Sequence, residues 1–78
     1  MQDRKLFVGN IDESVGTDEL TEQFSYFGKV RYVNIINGKG FAFVKMLSPA
    51  DAENAILGLN GIELKGRIIR VEKARPVK

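Results

Sequence analysis

The sequence predicts one α+β domain whose strands and helices follow one another in the order βαββαβ. Three observations lead to this order. Apolar residues recur at helical spacing in two separate runs, strand-like runs flank both of them, and Asn37-Gly38 joins the two middle strands as a hairpin. Right-handed crossovers then give a four-stranded antiparallel sheet, strand order 4-1-3-2, with both helices on one face.

The first half of the chain is predicted to hold a strand, a helix and a second strand. Lys5–Asn10 is the first strand, and a polar loop follows it. Thr17 is a favourable N-cap for the first helix, and Gly28 supplies the C-terminal stop. The second strand is Val30–Ile36. The apolar residues expected to face the core from the helix are Leu20, Phe24 and Phe27.

The middle of the chain is predicted to form a tight hairpin followed by the second helix. Asn37-Gly38 is a strong signal for a two-residue turn, which leads into a third strand, Gly40–Met46. Ser48 is the expected N-cap of the second helix, because Pro49 suits the first helical position. The residues expected to face inward from this helix are Ala52, Ala55, Ile56 and Leu59.

The end of the chain is predicted to complete the sheet. Asn60-Gly61 ends the second helix, and Ile62–Leu64 is a short edge strand. Arg67–Lys73 is the last strand, in which Ile69 and Val71 face inward. Asn10 is expected to make a local hydrogen bond in the turn after the first strand.

Three phenylalanines are predicted to share the outer face of the sheet. Alternation along the third strand puts Phe41 and Phe43 on one face and the aliphatic residues next to them on the other. Phe7 lies on the same outer face if its neighbours Leu6 and Val8 join the core. Three clustered rings approach or exceed the apolar patch of about a few hundred Å² that soluble monomers tolerate, so we expect something to cover them.

Composition bounds the classes of function. A chain of 78 residues, 44% hydrophobic and 28% charged, is typical of one globular domain. The absence of cysteine and histidine excludes disulfides, thiolate or imidazole metal sites, and Ser-His or Cys-His nucleophiles. We therefore expect no catalytic residue, metal or cofactor. The apolar runs are too short to cross a bilayer, and a soluble intracellular domain is expected.

Charge is unevenly distributed along the chain, although the formal net charge is only +2. Residues 12–28 carry −5, whereas residues 29–48 carry +4 and residues 65–78 carry +5. Base-rich blocks coincide with strands and acid-rich blocks with helices, so a sheet backed by both helices has a positive open face that suits a polyanion. Acids also favour first helical turns, but that alternative does not explain the bases on the strands.

Two runs of the chain resemble the signatures of a known family. Leu6–Ile11 is similar to the hexapeptide, and Lys39–Met46 to the octapeptide, of the RNA recognition motif. The resemblance extends from Lys5 to Ala74 and implies a ferredoxin-like sandwich. Met46 stands where the octapeptide usually ends in an aromatic residue, and strand alternation makes that position core-facing.

The resemblance also implies a register. Phe7 then lies opposite Phe43, and Lys5 lies opposite Lys45 in the neighbouring strand. The lysine pair is unfavourable without an anion between the two charges, which favours an anionic ligand.

The two-residue turn predicted for the hairpin brings more residues to the outer face. It sets Asn34 opposite Phe41 and Tyr32 opposite Phe43. Tyr32 is then either an additional stacking position or an amphipathic residue at the sheet edge.

The family implies a non-enzymatic module that binds single-stranded RNA by stacking bases on Phe7 and on Phe41 or Phe43. It also implies that Lys39 contacts a phosphate or pairs with an acid, and that the last strand and the tail line the exit of the RNA. The predicted RNA-binding residues are Lys5, Phe7, Tyr32, Asn34, Lys39, Phe41, Phe43, Lys45, Arg70, Glu72, Lys73 and Arg75.

Other functions stay open at this point. Variants of this fold bind peptides on their helices, although this chain carries Arg67-Ile68-Ile69 where those variants have Arg-x-Phe. An acylphosphatase needs a phosphate-cradling loop after the first strand, where Asp12 and Glu13 would repel phosphate. The rings are alternatively buried by a C-terminal segment or by another protein domain.

The resemblance also sets expectations about partners and location. We expect weaker binding to single-stranded DNA, no membrane association and a monomer as an isolated domain, with a protein partner on the helical face left open. An intracellular protein of RNA processing is expected, with the nucleus favoured over the cytoplasm. The tail, residues 75–78, either becomes ordered when RNA binds or begins a linker.

Overall fold

The chain is described here by a computed structural model that covers residues 4–36 and 38–74. In chain order the elements are β1 (Lys5–Gly9), α1 (Thr17–Ser25), β2 (Val30–Ile36), β3 (Phe41–Met46), α2 (Pro49–Leu59), β4 (Glu63–Leu64), β5 (Arg67–Ile68) and β6 (Arg70–Lys73). The main sheet is antiparallel with strand order β2-β3-β1-β6. The predicted order 4-1-3-2 is confirmed, with β6 in the place of the fourth strand.

The hydrophobic core lies between one face of this sheet and the two helices. Leu20 and Phe24 of α1 are fully buried, and so is Met46 of β3, which confirms that the position of Met46 faces the core. Other buried residues are Leu6, Val8, Ala42, Val44, Ala52, Ala55, Leu59, Ile69 and Val71. Phe27 and Ile56 are partly buried and pack against this core.

The register of the central strands agrees with the prediction. Phe7 pairs with Phe43, and Lys5 pairs with Lys45 across β1 and β3. The odd-numbered residues of both strands therefore point away from the helices, while the even-numbered residues fill the core.

The register predicted for the β2–β3 hairpin is wrong. Ile36 pairs with Phe41 and Asn34 pairs with Phe43, so the loop holds four residues instead of two. Gly38 and Gly40 both adopt φ +77°, and the second of these left-handed glycines keeps residue 40 in the loop. Asn37, the first residue of the predicted turn, lies outside the described residues.

A β-bulge in β2 keeps apolar residues on the core side of the hairpin, although these residues do not alternate regularly in the sequence. Val30 pairs with Met46 and Tyr32 with Lys45, so Arg31 is an additional residue in β2. Because of this insertion, both Val30 and Val33 pack against the core, and Tyr32 still points outward.

Of the two predicted N-caps, the one of α1 is wrong and the one of α2 is confirmed. Gly16, and not Thr17, is the N-cap of α1, because the Glu19 carboxylate reaches back and accepts the backbone N–H of Gly16 at 3.3 Å. Ser48 caps α2 as predicted, since its Oγ accepts the backbone N–H of Asp51 at 3.2 Å. Helix α1 ends at Ser25, earlier than Gly28 implied.

The last predicted strand is interrupted. Arg67–Ile68 pairs with Glu63–Leu64 in a separate two-stranded sheet instead of extending β6. Ile69 separates the two strands because its backbone bonds back to the segment after α2: its N–H donates to Ile62 O at 2.9 Å, and its carbonyl accepts the N–H of Gly61 at 2.9 Å.

Candidate nucleic-acid interface

Three phenylalanine rings form a triangle on the face of the sheet that points away from the helices. The ring centroids of Phe7 and Phe41 are 5.4 Å apart, those of Phe7 and Phe43 5.9 Å, and those of Phe41 and Phe43 5.8 Å. The interplanar angles range from 36° to 80°, and each ring stays only partly buried. Such tilted and edge-on pairs are favourable for aromatic side chains and leave ring faces available.

Gly9 makes room for this triangle. It pairs with Phe41, and a Cβ placed on Gly9 would lie only 2.8 Å from Cε2 of Phe7. The missing side chain therefore allows the Phe7 ring to lean along β1 toward the Phe41 ring.

Basic side chains surround the rings. Lys5 Nζ lies 4.8 Å from the centroid of the Phe43 ring, an arrangement that a cation–π attraction stabilises and that turns the ammonium toward the ring. Lys45 lies on the same face beside Lys5, and Arg70 lies opposite Gly9 on the other side of β1. Glu72 pairs with Phe7 and adds a carboxylate on the β6 side, as the alternation predicted.

The predicted residues of β2, Tyr32 and Asn34, lie on the outer face, but their partners in β3 differ from the prediction. Tyr32 is 44% exposed and pairs with Lys45, whereas Asn34 pairs with Phe43. Ile36 pairs with Phe41 and so flanks the ring triangle, a position that sequence reasoning missed. The signal that could have found it is Gly40, a second glycine that allows a longer loop.

Of the predicted site residues that the structure describes, Lys39 and Lys73 do not join the triangle. Lys39 is exposed in the β2–β3 loop and lines a cavity of about 870 Å³ at the end of the sheet, with Asn10 and Arg67. Lys73 pairs with Leu6, so alternation places it on the other side of the sheet from Glu72. Arg75 and the rest of the tail lie outside the described residues.

A groove of about 610 Å³ runs along the β6 edge of the triangle and is lined by Phe7, Arg70 and Ile68, among others. Ile68 is 56% exposed there. Asn10 holds this edge in place: its Nδ2 donates to the Ile68 carbonyl at 2.7 Å, and its Oδ1 accepts from Arg67 Nη2 at 2.8 Å. The local hydrogen bond expected for Asn10 is therefore wrong, because both partners lie far away in sequence.

Asp12 stabilises the loop between β1 and α1. Its Oδ2 accepts the Ser14 hydroxyl at 2.6 Å and the Ser14 backbone N–H at 2.9 Å. These two hydrogen bonds lower the pKa of the Asp12 carboxyl from its usual value, and the nearby charges of Arg67 and Lys65 act in the same direction. An ionised carboxylate therefore lies in the lining of the cavity that Lys39 and Arg67 also line.

Within residues 4–36 and 38–74 we find no group of three or more Asp or Glu placed to hold a metal ion. None of the helices in these two ranges is long and apolar enough to span a membrane.

With this geometry in place, the chain can be compared with known proteins. The family model of the RNA recognition motif matches residues 6–70, and the chain belongs to this family. A probable arginine/serine-rich splicing factor 3 of Caenorhabditis elegans is 41% identical in an alignment 78 positions long, which covers 97% of this chain and 30% of that protein. The putative RNA-binding protein RbpE of Nostoc sp. is 42% identical in an alignment 77 positions long, which covers 91% of this chain and 78% of that protein.

Solved structures show the same fold. The structure of the SXL-lethal protein/RNA complex superposes with a TM-score of 0.91 at 29% identity, covering 97% of this chain and 49% of that one. The predicted fold and family are confirmed by these matches. Since this chain spans only 30% of the C. elegans splicing factor, the match describes one module of that protein and not its whole activity.

Proposed function

We propose that this chain is a module that binds single-stranded RNA on the open face of its sheet. The observation that carries the proposal is the triangle of Phe7, Phe41 and Phe43, whose centroids lie within 5.9 Å of one another. Each nucleobase that stacks on such a ring contributes about 1–3 kcal/mol and covers apolar surface that would otherwise stay in water. The family match and the RNA-bound relative support this function.

The charges around the triangle fit the ribose-phosphate chain. Lys5, Lys45 and Arg70 surround the rings, whereas the acids of the helices lie on the opposite side of the sheet. An extended single strand that stacks on Phe7 and Phe43 therefore places its phosphates near cations. We expect single-stranded DNA to bind more weakly, because contacts to the 2′-hydroxyl are lost.

The wider setting follows from the same proposal. Residues 5–74 are the binding unit, and we expect it to be monomeric, non-enzymatic and intracellular. A role in nuclear RNA processing rests on the splicing-factor relatives, and the relative from Nostoc supports only the RNA-binding module itself.

An RNA titration of the isotope-labelled chain followed by NMR tests the proposal. Resonances of β1 and β3 should shift with a pool of short single-stranded RNAs, and Phe41→Ala should weaken binding by about 1–3 kcal/mol. Tyr26→Ala is the matched control, because it removes an exposed aromatic ring from the opposite face. Equal losses for both variants, or shifts confined to the helices, would rule out the stacking face.

The salt dependence of binding tests the phosphate contacts separately. Three cations at the face predict a log–log slope of magnitude about 2, since each phosphate neutralised on a single strand contributes about 0.7. Lys5→Ala should lower that magnitude by about 0.7. An affinity that does not change with salt would contradict the role given to these cations.

A further inference from the structure

Two side chains of opposite charge lie on the outer face of β6, at the border of the triangle of phenylalanine rings. Arg70 and Glu72 alternate with the buried Val71, so both point to the same face as the rings. Two residues along a strand are about 6.6 Å apart, so the two side chains leave the backbone next to each other. A ligand at this border meets a guanidinium and a carboxylate side by side.

The Phe7 ring lies next to both of these side chains. Phe7 pairs with Glu72, and Gly9 pairs with Arg70. The ring leans along β1 over the buried Gly9, where a Cβ would lie only 2.8 Å from its Cε2 atom. It therefore spans both register positions, and a base stacked on it has Arg70 and Glu72 along one edge.

Arg70 and Glu72 are both accessible to a ligand. Both are exposed, and in the part of the chain that the structure describes neither forms an ion pair, since the pair found there joins Lys65 to Glu19 at 3.3 Å. The groove of about 610 Å³ that Phe7 and Arg70 line leaves space on the β6 side of the ring. The edge of a stacked base can therefore reach both side chains.

The other charged side chains near this border are directed elsewhere. Arg67 donates from Nη2 to Asn10 Oδ1 at 2.8 Å and acts on the Asp12 carboxyl. Lys5 Nζ lies 4.8 Å from the centroid of another ring of the triangle. Lys73 is on the other side of the sheet. This leaves the guanidinium and the carboxylate of β6 as the charged groups at the edge of the ring.

The order of donors and acceptors at this edge matches guanine. A guanidinium only donates hydrogen bonds, and an ionised carboxylate only accepts them. Along its rim, guanine presents two acceptors, N7 and O6, followed by two donors, N1–H and N2–H. Arg70 can donate to both acceptors while Glu72 accepts from both donors, which gives two bidentate, charge-assisted contacts.

The other three bases match this edge less completely. Cytosine offers two acceptors, O2 and N3, but only one donor position, its amino group. In adenine and uracil, acceptors and donors alternate along the rim, so at least one atom faces a group of its own kind. A buried or partly covered polar group without a partner is costly, so these mismatches weaken binding.

We infer that the base stacked on Phe7 is a guanine, bound by Arg70 at N7 and O6 and by Glu72 at N1–H and N2–H. This reading of a base rests on the proposed RNA function and adds a base preference to one position of that site. Stacking on an aromatic ring accepts every base, so the preference comes from β6 and not from the triangle. The charge of Arg70 stays next to the RNA in this arrangement, so the salt dependence given above is kept.

Short RNAs with one variable base test the guanine preference on the full chain. Oligouridine pentamers carry guanosine, cytidine, adenosine, uridine, 7-deazaguanosine or inosine at the centre. The guanosine pentamer should bind about tenfold more tightly than the uridine pentamer, which corresponds to about 1.4 kcal/mol. 7-Deazaguanosine lacks the N7 acceptor and inosine lacks the 2-amino group, so each should bind about fivefold more weakly than guanosine.

Two variants connect each analogue to one side chain. Arg70→Ala should abolish the difference between guanosine and 7-deazaguanosine and keep the inosine difference, whereas Glu72→Ala should do the reverse. Arg31→Ala and Glu63→Ala are the matched controls, because both side chains are exposed in strands outside the triangle. These controls should leave both affinity ratios unchanged. Equal melting temperatures confirm that the variants are folded.

The outcomes distinguish the guanine preference from RNA binding itself. If Arg70→Ala weakens all pentamers by the same factor, Arg70 meets only phosphates and the guanine assignment is overturned while RNA binding stands. Equal affinity for the cytidine and guanosine pentamers overturns it as well. Absence of binding by every pentamer would contradict the proposed function and the guanine assignment together.

Discussion

The two faces of this small domain present similar apolar groups in opposite electrostatic settings. On the sheet, the triangle of Phe7, Phe41 and Phe43 is bordered mainly by lysine and arginine. On the helical side, Tyr26 and Leu57 are exposed and, with Phe27, Asn54 and Gly58, line a shallow groove of about 410 Å³. The charged residues within the two helices are all acidic. The comparison teaches that an exposed aromatic side chain by itself does not identify its ligand, because the sign of the surrounding charge decides whether a polyanion is attracted or repelled.

The two faces also differ in how they are supported. The phenylalanines come from β1 and β3, the central strands, whose backbones are paired on both sides. The groove depends on the ends of two helices and on one close contact between Gly58 and Phe27. Truncating one of the phenylalanines should therefore leave the backbone of the sheet unchanged, whereas adding a methyl group at Gly58 should alter the groove.

The largest expected effect separates a buried phenylalanine from one on the sheet face. Phe24→Ala should lower the free energy of unfolding by about 3–5 kcal/mol, because it empties a fully buried site. Phe43→Ala should cost only about 0.5–1.5 kcal/mol of stability, since it mainly removes contacts with the neighbouring rings. Urea denaturation of both variants measures the difference, and equal losses would mean that the Phe43 ring belongs to the core.

A smaller effect is expected at the floor of the groove. In Gly58→Ala the new methyl group meets the Phe27 ring at 2.3 Å. Overpacking of this kind costs about 1–3 kcal/mol, while alanine gains about 1 kcal/mol over glycine in a helix, so we expect a net loss of up to about 2 kcal/mol.

Asn54→Ala is the matched control for Gly58→Ala, because it adds helix propensity in the same groove without adding an atom toward the ring. Urea denaturation should show no loss of stability for this variant. If Gly58→Ala is as stable as Asn54→Ala, the close approach of Phe27 is not a constraint on the helix pair.

The sheet face could be predicted from the sequence because strand alternation and burial determine it together. Once Leu6 and Val8 are in the core, Phe7 has to point outward, and a register error in the next hairpin does not change that. The error at β2–β3 moved the partners of Tyr32 and Asn34 by two residues along β3, and because side chains alternate with a period of two, both stay on the outer face.

The length of the β2–β3 loop was harder to predict, because either of two glycines, Gly38 and Gly40, can be its last residue with positive φ. Asn37-Gly38 indicated a two-residue turn, but Gly40 also adopts a positive φ and lengthens the loop. A two-residue loop occurs instead at Lys65-Gly66, where both residues have positive φ and the turn joins β4 to β5. A lysine is an unusual residue for that conformation, so propensity gave no signal there.

The groove could not be predicted, because helical spacing identifies the residues that face inward and leaves the outer ones undistinguished. Tyr26 and Leu57 come together only through the way α1 and α2 end, and the contact of Gly58 with Phe27 is a tertiary one. The same holds for Asn10, whose hydrogen bonds to Ile68 and Arg67 join distant parts of the chain.

The smallest expected effect concerns Asp12, an acid at the border of the basic sheet face. The hydroxyl and the N–H of Ser14 lower its pKa in the folded state below the value of about 3.9 for an unfolded chain. Its contribution to stability is therefore fully present above that unfolded value and is lost as the pH falls through the lower folded pKa. A carboxyl NMR titration should show the depressed pKa, and Ser14→Ala should raise it. A pKa of Asp12 at or above the unfolded value would show that Ser14 does not hold the carboxylate.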